Sequence, residues 1–276
     1  MKTQKLIVGL LLSLAIISCN KDDDNTQPVV PINQQEVAAN AQMDDISDDV
    51  LQIVESQSDS EPANRLSGSA QNFMSQCATV TTTQSGDTWI RTIDFGDTNC
   101  MLLNGNTVRG KIIITFNNDF DAATRTIAYA FDNFYHNDRH VEGNRTVVKT
   151  RSANNHPQAT ITLDMTVTTP AGAVFHRTGQ RVREFTQGYD TPFNLSDNAF
   201  SITGNWTTTF PNGTTSSATI TSPLIIQWNC AHILSGTISF TRNTNSAILD
   251  YGDGTCDNQA TVTINGVLHN ITLGGN

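Results

Sequence analysis

The chain has 276 residues, a formal net charge of −10 and 37% hydrophobic residues. That length suits one large domain or two small ones. The 16 Lys and Arg are outnumbered by 26 Asp and Glu, which argues against a nucleic-acid partner, since phosphate binding needs clustered cations. The charge is also uneven. Residues 19–64 carry eleven acids and one Lys, a net of −10, whereas residues 65–276 carry fifteen acids and thirteen bases, a net of −2.

Taken in chain order, residues 1–18 begin with Lys2 and Lys5, continue with an apolar run from Leu6 to Ile17 and end on Ser18, just before Cys19. A charged start, an apolar run too short to span a bilayer comfortably and a small residue before the cut describe an export signal. Ile16-Ile17-Ser18-Cys19 resembles a bacterial lipoprotein box. That resemblance implies an acylated Cys19 as the first mature residue and a membrane attachment made through its acyl chains. Cys19-Asn20-Lys21-Asp22-Asp23-Asp24 is similar to the signal that sends lipoproteins of Bacteroidota to the outer face of the outer membrane. In that pattern Lys21, Asp22, Asp23 and Asp24 are the export residues. The expected location is therefore the outer membrane, lipid-anchored and facing the exterior, in preference to the periplasm.

Residues 19–43, rich in Asn, Gln, Asp and Pro, read as an acidic flexible tether. Residues 44–70 read as a short helix and a loop. The helix is expected over 44–56, capped by Asp44 or Asp45, with Ile46, Val50, Ile53 and Val54 sharing one face that docks on the body's own sheet. Its acids are expected in the first turns, where the helix dipole favours them.

Residues 71–276 read as an all-β, antiparallel up-and-down meander of ten to twelve strands in long hairpins, arranged as a barrel, half-barrel or two-layer sheet. Thr is abundant, the alternation is period two, and turn residues recur. Hairpin turns are predicted at Ser85-Gly86-Asp87, Asn137-Asp138, Pro170-Ala171-Gly172, Pro211-Asn212-Gly213, Asn243-Thr244-Asn245 and Asn265-Gly266. Asn137-Asp138 as the turn would set His136 opposite Arg139 and Tyr135 opposite His140.

One repeat stands out. Ile93-Asp94-Phe95-Gly96-Asp97-Thr98-Asn99-Cys100 parallels Leu249-Asp250-Tyr251-Gly252-Asp253-Gly254-Thr255-Cys256, and each follows a Cys-Ala pair, Cys77-Ala78 and Cys230-Ala231. The intervening turns lie near midway between the cysteines, so Cys77 is expected to pair with Cys100 and Cys230 with Cys256. The crossed pairings stay open, because four cysteines allow three connectivities.

The C-terminal run Leu249 to Asn258, together with Ala260-Thr261-Val262-Thr263, Asn265-Gly266, Ile202-Thr203-Gly204 and the stretch from Phe134-Tyr135 to Arg145-Thr146, resembles lipoproteins of Bacteroidota such as flavobacteria. The resemblance implies an envelope lipoprotein with a β-rich body and carries no activity with it.

The residues offer little chemistry. His136 and His140 do not converge on one metal, so no metal site is expected there. The Asp-rich turn Asp250 to Asn258 offers oxygens for calcium, but Asp and Gly are equally what a tight turn needs, so no cofactor is expected and calcium is the lesser reading. There is no G-x-S-x-G, no H-E-x-x-H and no phosphate loop, and residues 71–276 hold only two Glu, Glu142 and Glu184. No catalytic residue is therefore assigned. Trp89, Trp206, Trp228, Phe134 and Tyr135 are expected in the core. Arg177, Arg181 and Arg183 share one strand face, which reads as a solvated stripe paired with cross-strand acids, or else as a contact for an anionic ligand. The expected function is a non-enzymatic binding or structural β domain. The alternatives are a periplasmic carrier of a lipid or other apolar ligand, and a hydrolase of polysaccharide or peptide.

Overall fold

The structure is a computed structural model and describes residues 30–59, 77–102, 104–117, 119, 122–191, 197–227, 230 and 232–273. Cys19, Lys21, Asp22, Asp23, Asp24 and Trp228 lie outside the described residues.

Among the described residues one helix, α1 (Gln34–Ser58), precedes fifteen strands. The first eight are β1 (Thr79–Ser85), β2 (Thr88–Asp94), β3 (Cys100–Met101), β4 (Thr107–Asn117), β5 (Arg125–His136), β6 (Arg139–Glu142), β7 (Asn144–Arg151) and β8 (Pro157–Thr168). The remainder are β9 (Val174–Gln187), β10 (Ala199–Thr209), β11 (Thr215–Gln227), β12 (Ser235–Arg242), β13 (Asn245–Asp253), β14 (Gln259–Ile264) and β15 (Val267–Thr272). All are antiparallel neighbours in a single sheet that runs as a meander from β1 to β15. Among the described residues the sheet does not close: β1 and β15 are the ends of its path.

The alternation seen in the sequence sets the two faces of the sheet. In β4, Val108, Ile112, Ile114 and Phe116 are buried, with half-buried residues between them. In β8, Ala159, Ile161, Leu163, Met165 and Val167 point inward, while Thr160, Asp164 and Thr166 do not. The predicted turns hold. Asn137 and Asp138 both have positive φ, as a two-residue type I′ turn requires, and His136 faces Arg139 while Tyr135 faces His140. The two-residue turn Asn265-Gly266 joins β14 to β15 in the same way.

A bulge bends the sheet. Gly110, at φ +84°, lies where the β4–β5 register slips, and a Cβ there would sit 2.0 Å from the carbonyl oxygen of Asn133. Gly143 interrupts the strand that β6 and β7 make together beside β8, and its Cβ would lie 2.1 Å from the Asp164 carbonyl oxygen. Only glycine permits these close approaches, and the kinks increase local twist. Both disulfides follow the local pairing, Cys77–Cys100 and Cys230–Cys256, with Cα separations of 5.9 and 5.8 Å.

The helix departs from expectation. It begins at Gln34, ten residues before the predicted start, so residues 34–43 are not tether. Its cap is Asn33, whose side chain accepts from the Glu36 N–H at 3.0 Å. Asp44 and Asp45 are therefore mid-helical, and helix-dipole stabilisation of a first turn does not explain them. The composition of 34–43 looked solvated because its covering partners lie far away in sequence.

α1 docks on the sheet, as its apolar face predicts, but it is covered all round rather than on one side. Ile46, Val50, Ile53 and Val54 are at most 1% exposed. Side chains from β2, β5, β7, β9, β10, β12 and β13 all reach it. The sheet thus curls around a helix of 25 residues, about 37 Å long, which fills its interior.

Candidate functional site: an arginine-lined interior

The three arginines that share a face of β9 face inward. Arg177, Arg181 and Arg183 are each at most 2% exposed. This corrects the solvated reading: parity placed them on one side of the strand, but the curl of the sheet makes that side the interior. Their acids come from α1 and not from neighbouring strands. Asp44 binds both Arg177 and Arg181, and Arg183 donates to Glu55 at 3.0 Å. Arg181 also approaches Asp48 at 3.6 Å.

The rest of the clamp continues along the helix. Arg177 donates to the Asn40 carbonyl at 2.9 Å and to the Asn40 side chain at 2.8 Å. Trp206 Nε1 and Thr208 Oγ1 donate to that same side-chain oxygen. Near the N-terminus Arg242 pairs with Glu36 at 3.1 Å. At the C-terminus, Arg91 donates to the Gln57 carbonyl and Arg125 to the Ser58 carbonyl. The last turn of α1 has no basic residue of its own, so two guanidiniums from the sheet satisfy carbonyls that a helix end leaves open. Aromatic faces complete the arginine seats, with Trp206 4.7 and 4.4 Å from Arg177 and Arg181 and Phe200 3.7 Å from Arg183.

Electrostatics reflect this crowding. Burial pulls Arg177 down to about 10, against the pull of Asp44. Burial also opposes the charge on Arg181, yet Asp44 and Asp48 outweigh it and its pKa is raised. Arg181 has a second acid at 3.6 Å, whereas Arg177 also feels the positive charge of Arg181. Burial and then Asp44 push the Tyr251 phenol well up, and its hydroxyl lies 3.4 Å from Asp44.

At one end of the interior, Asp49 accepts from Asn104 at 2.8 Å and Asn106 at 2.7 Å, and His136 Nε2 lies 2.8 Å from it. His136 is thus a buried helix anchor. Beside Asp49 lies a cleft with about 30 Å³ of space, lined by Asp45, Asp48, Gln52 and His232 among others. Burial and the neighbouring Asp49, Asp44 and Asp48 raise Asp45 well above the usual carboxylate range. Burial lifts Asp48 to about 6 despite Arg181 and Arg183. A second space, of about 10 Å³, is lined by Ser47, Leu51, Ile161 and Ile202 among others and has room for a single water at most.

The remaining predicted residues divide clearly. Trp206 and Phe134 are core, and Trp89 packs against it. The Asp-rich turn uses its carboxylates locally: Asp250 accepts from the Gly252 N–H at 2.9 Å, Asp253 from Thr255 and Asp257 from Gln259. The first copy does the same, with Asp94 accepting from Gly96 at 2.9 Å, so the repeat is one turn used twice. Ser152 Oγ and His156 Nδ1 both reach Glu184 Oε1, at 2.9 and 2.8 Å, so the imidazole is bound to the carboxylate and not directed at the hydroxyl. Among the described residues no three His, Cys, Asp or Glu side chains form a ready metal cage, and no helix is long and apolar enough to cross a membrane.

No family model, no curated protein and no solved structure matches this chain.

Proposed function

We propose that the chain is a lipid-anchored lipoprotein of the Bacteroidota type, displayed on the outer face of the outer membrane, whose β domain is a non-enzymatic binding or structural module. The observation that carries this reading is the N-terminal pattern: an apolar run closed by Ser18, then Cys19 followed at once by Lys21, Asp22, Asp23 and Asp24. The fold adds a distance. Fourteen residue steps separate Cys19 from Asn33, the cap of α1, so the domain stands at most roughly 50 Å from its anchor. The carrier reading needs an interior that admits an acyl chain. Here α1 fills that interior and is held by buried ion pairs, so a lipid would have to displace it.

Protease treatment of intact cells, with a periplasmic protein as internal control, tests the display. Digestion of this chain while the control survives is the expected result. Protection until the outer membrane is opened would overturn surface display. Lipid that stays with the purified protein through gel filtration would then favour the carrier.

A further inference from the structure

The antiparallel register gathers the β8–β9 turn (169–173), the β10–β11 turn (210–214), the β12–β13 turn (243–244) and the β14–β15 turn (265–266) at one end of the sheet. The chain enters α1 at this end. Arg242, which closes β12 here, pairs with Glu36 in the first turn of α1 at 3.1 Å, and Thr208, near the end of β10, donates to Asn40 at 2.8 Å. Neighbouring turns are tied together. Phe175 and Phe210 meet edge to face at 6.1 Å, and the Asn265 N–H donates to the Ser246 carbonyl at 3.2 Å. None of the residues in these four turns is charged. At the opposite end, the β9–β10 connection carries Asp190 and Asp197, Asp253 closes β13, and Asp257 follows it. The uncharged end also exposes apolar side chains: Val30, just before α1, at 39%, Val174 at 46%, Val267 at 57% and Leu268 at 63%. Ile248, 46% exposed, shares the outer wall with Leu268, one on each side of Thr263. Uncharged turns with apolar tips enter a lipid headgroup boundary at little desolvation cost, and carboxylates do not.

We propose that this end of the sheet rests on the phospholipid surface that holds the chain, with Val174, Val267 and Leu268 entering the headgroup boundary. The inference rests on the lipid-anchored reading of Cys19. The place where α1 begins selects lipid as the occupant. Cys19 lies fourteen residue steps before Asn33, the cap of α1, so the bilayer is held within at most roughly 50 Å of these turns. Tethering of that kind turns a weak surface contact into an occupied one, because the second encounter is intramolecular. Charge points the same way. β9, of 14 residues, and β13, of 9, separate the two ends by roughly 30–45 Å, so a domain seated on its uncharged end keeps Asp190, Asp197, Asp253 and Asp257 in water. The domain then stands with its strands rising from the membrane and its acidic turns outward.

The test places a fluorescent label on the full acylated chain in phosphatidylcholine vesicles whose headgroups carry a quencher. Ala171→Cys labels an exposed turn at the uncharged end, and Ala153→Cys labels an exposed turn between β7 and β8 at the opposite end. The label at position 171 is quenched several-fold more strongly than the label at position 153. Val174→Asp combined with Val267→Asp brings the quenching at 171 down to the level at 153, while the chain still floats with the vesicles. Equal quenching at the two ends overturns the inference, as does quenching at 171 that survives the double substitution. A signal at 171 that grows with protein density at a fixed quencher fraction marks a second copy as the occupant and also overturns it. A chain with Cys19 intact that does not float with vesicles refutes the lipid-anchored reading, and the inference falls with it. Flotation with equal quenching strikes this inference alone. If the double variant does not fold, the two labels on the otherwise native chain decide.

Discussion

The interior and the rim of this sheet use the same charged residues under opposite conditions. Asp44, Arg177 and Arg181 sit at 0%, 0% and 3% side-chain exposure, whereas the rim pair Arg109 and Asp138 sits at 23% and 57%. On the rim, water already solvates each partner, so the pair adds little. In the interior both ions have lost their water, and each is tolerated only because the other is present. A charge pair in this fold therefore matters according to what remains buried when one member is removed.

Predictions that break or sharpen this comparison can be ordered by size. Asp44→Ala strands two buried guanidiniums and costs about 3–5 kcal/mol of unfolding free energy, read by denaturant titration. Replacing Asp44, Arg177 and Arg181 together with Leu or Met recovers part of that loss, because two stranded guanidiniums are removed and only Asp48 loses its 3.6 Å partner. Reducing either disulfide costs about 3.5 kcal/mol in the chain-entropy account, for closed loops with separations of 23 and 26 residues, measured as the loss of stability in reductant or in Cys→Ser pairs.

The next effect is a pH dependence of unusual sign. Folding raises Asp48 to about 6 and Asp45 well up from 3.8, so the folded state binds these protons more tightly than the unfolded chain does. Stability is thus lowest above the folded pKa and rises as pH falls through about 6 toward the unfolded value. Denaturant titrations between about pH 7.5 and 5 show that gain, and Asp48→Asn reduces it, leaving the part that Asp45 contributes. Smallest of all, Asp138→Asn, which removes the rim pair with Arg109, leaves the midpoint within error of the parent.

Much of the sheet was legible because its signals are local. Asn137-Asp138 fixes a turn, the turn fixes the register of His136 and Arg139, and the midway turns fix which cysteines meet. The helix interior was not legible for the opposite reason. Asp44 meets Arg177 across 133 residues, and Asn40 meets Thr208 across 168. Periodicity found the apolar stripe of Ile46, Val50, Ile53 and Val54, but nothing nearby reveals that Glu36, Asp44 and Glu55 also point at protein. One clue was available: three arginines on one strand face and an acid-rich helix of opposite charge. Joining those two would have placed the helix against β9. The early start at Gln34 needed the same step, since residues 34–43 are held by Arg242, Arg177, Trp206 and Thr208.

The central claim is that α1 belongs to the core of the β domain and is not a detachable cover. Native-state hydrogen exchange across the α1 amides of the full chain tests it most directly. Protection of the amides of Asp44 to Val54 at the global stability, matching Ile112 and Ile114 of β4, is the result this account predicts. Exchange of α1 through a local opening well below the global value, with β4 still protected, would contradict it and would restore the carrier with a removable helix.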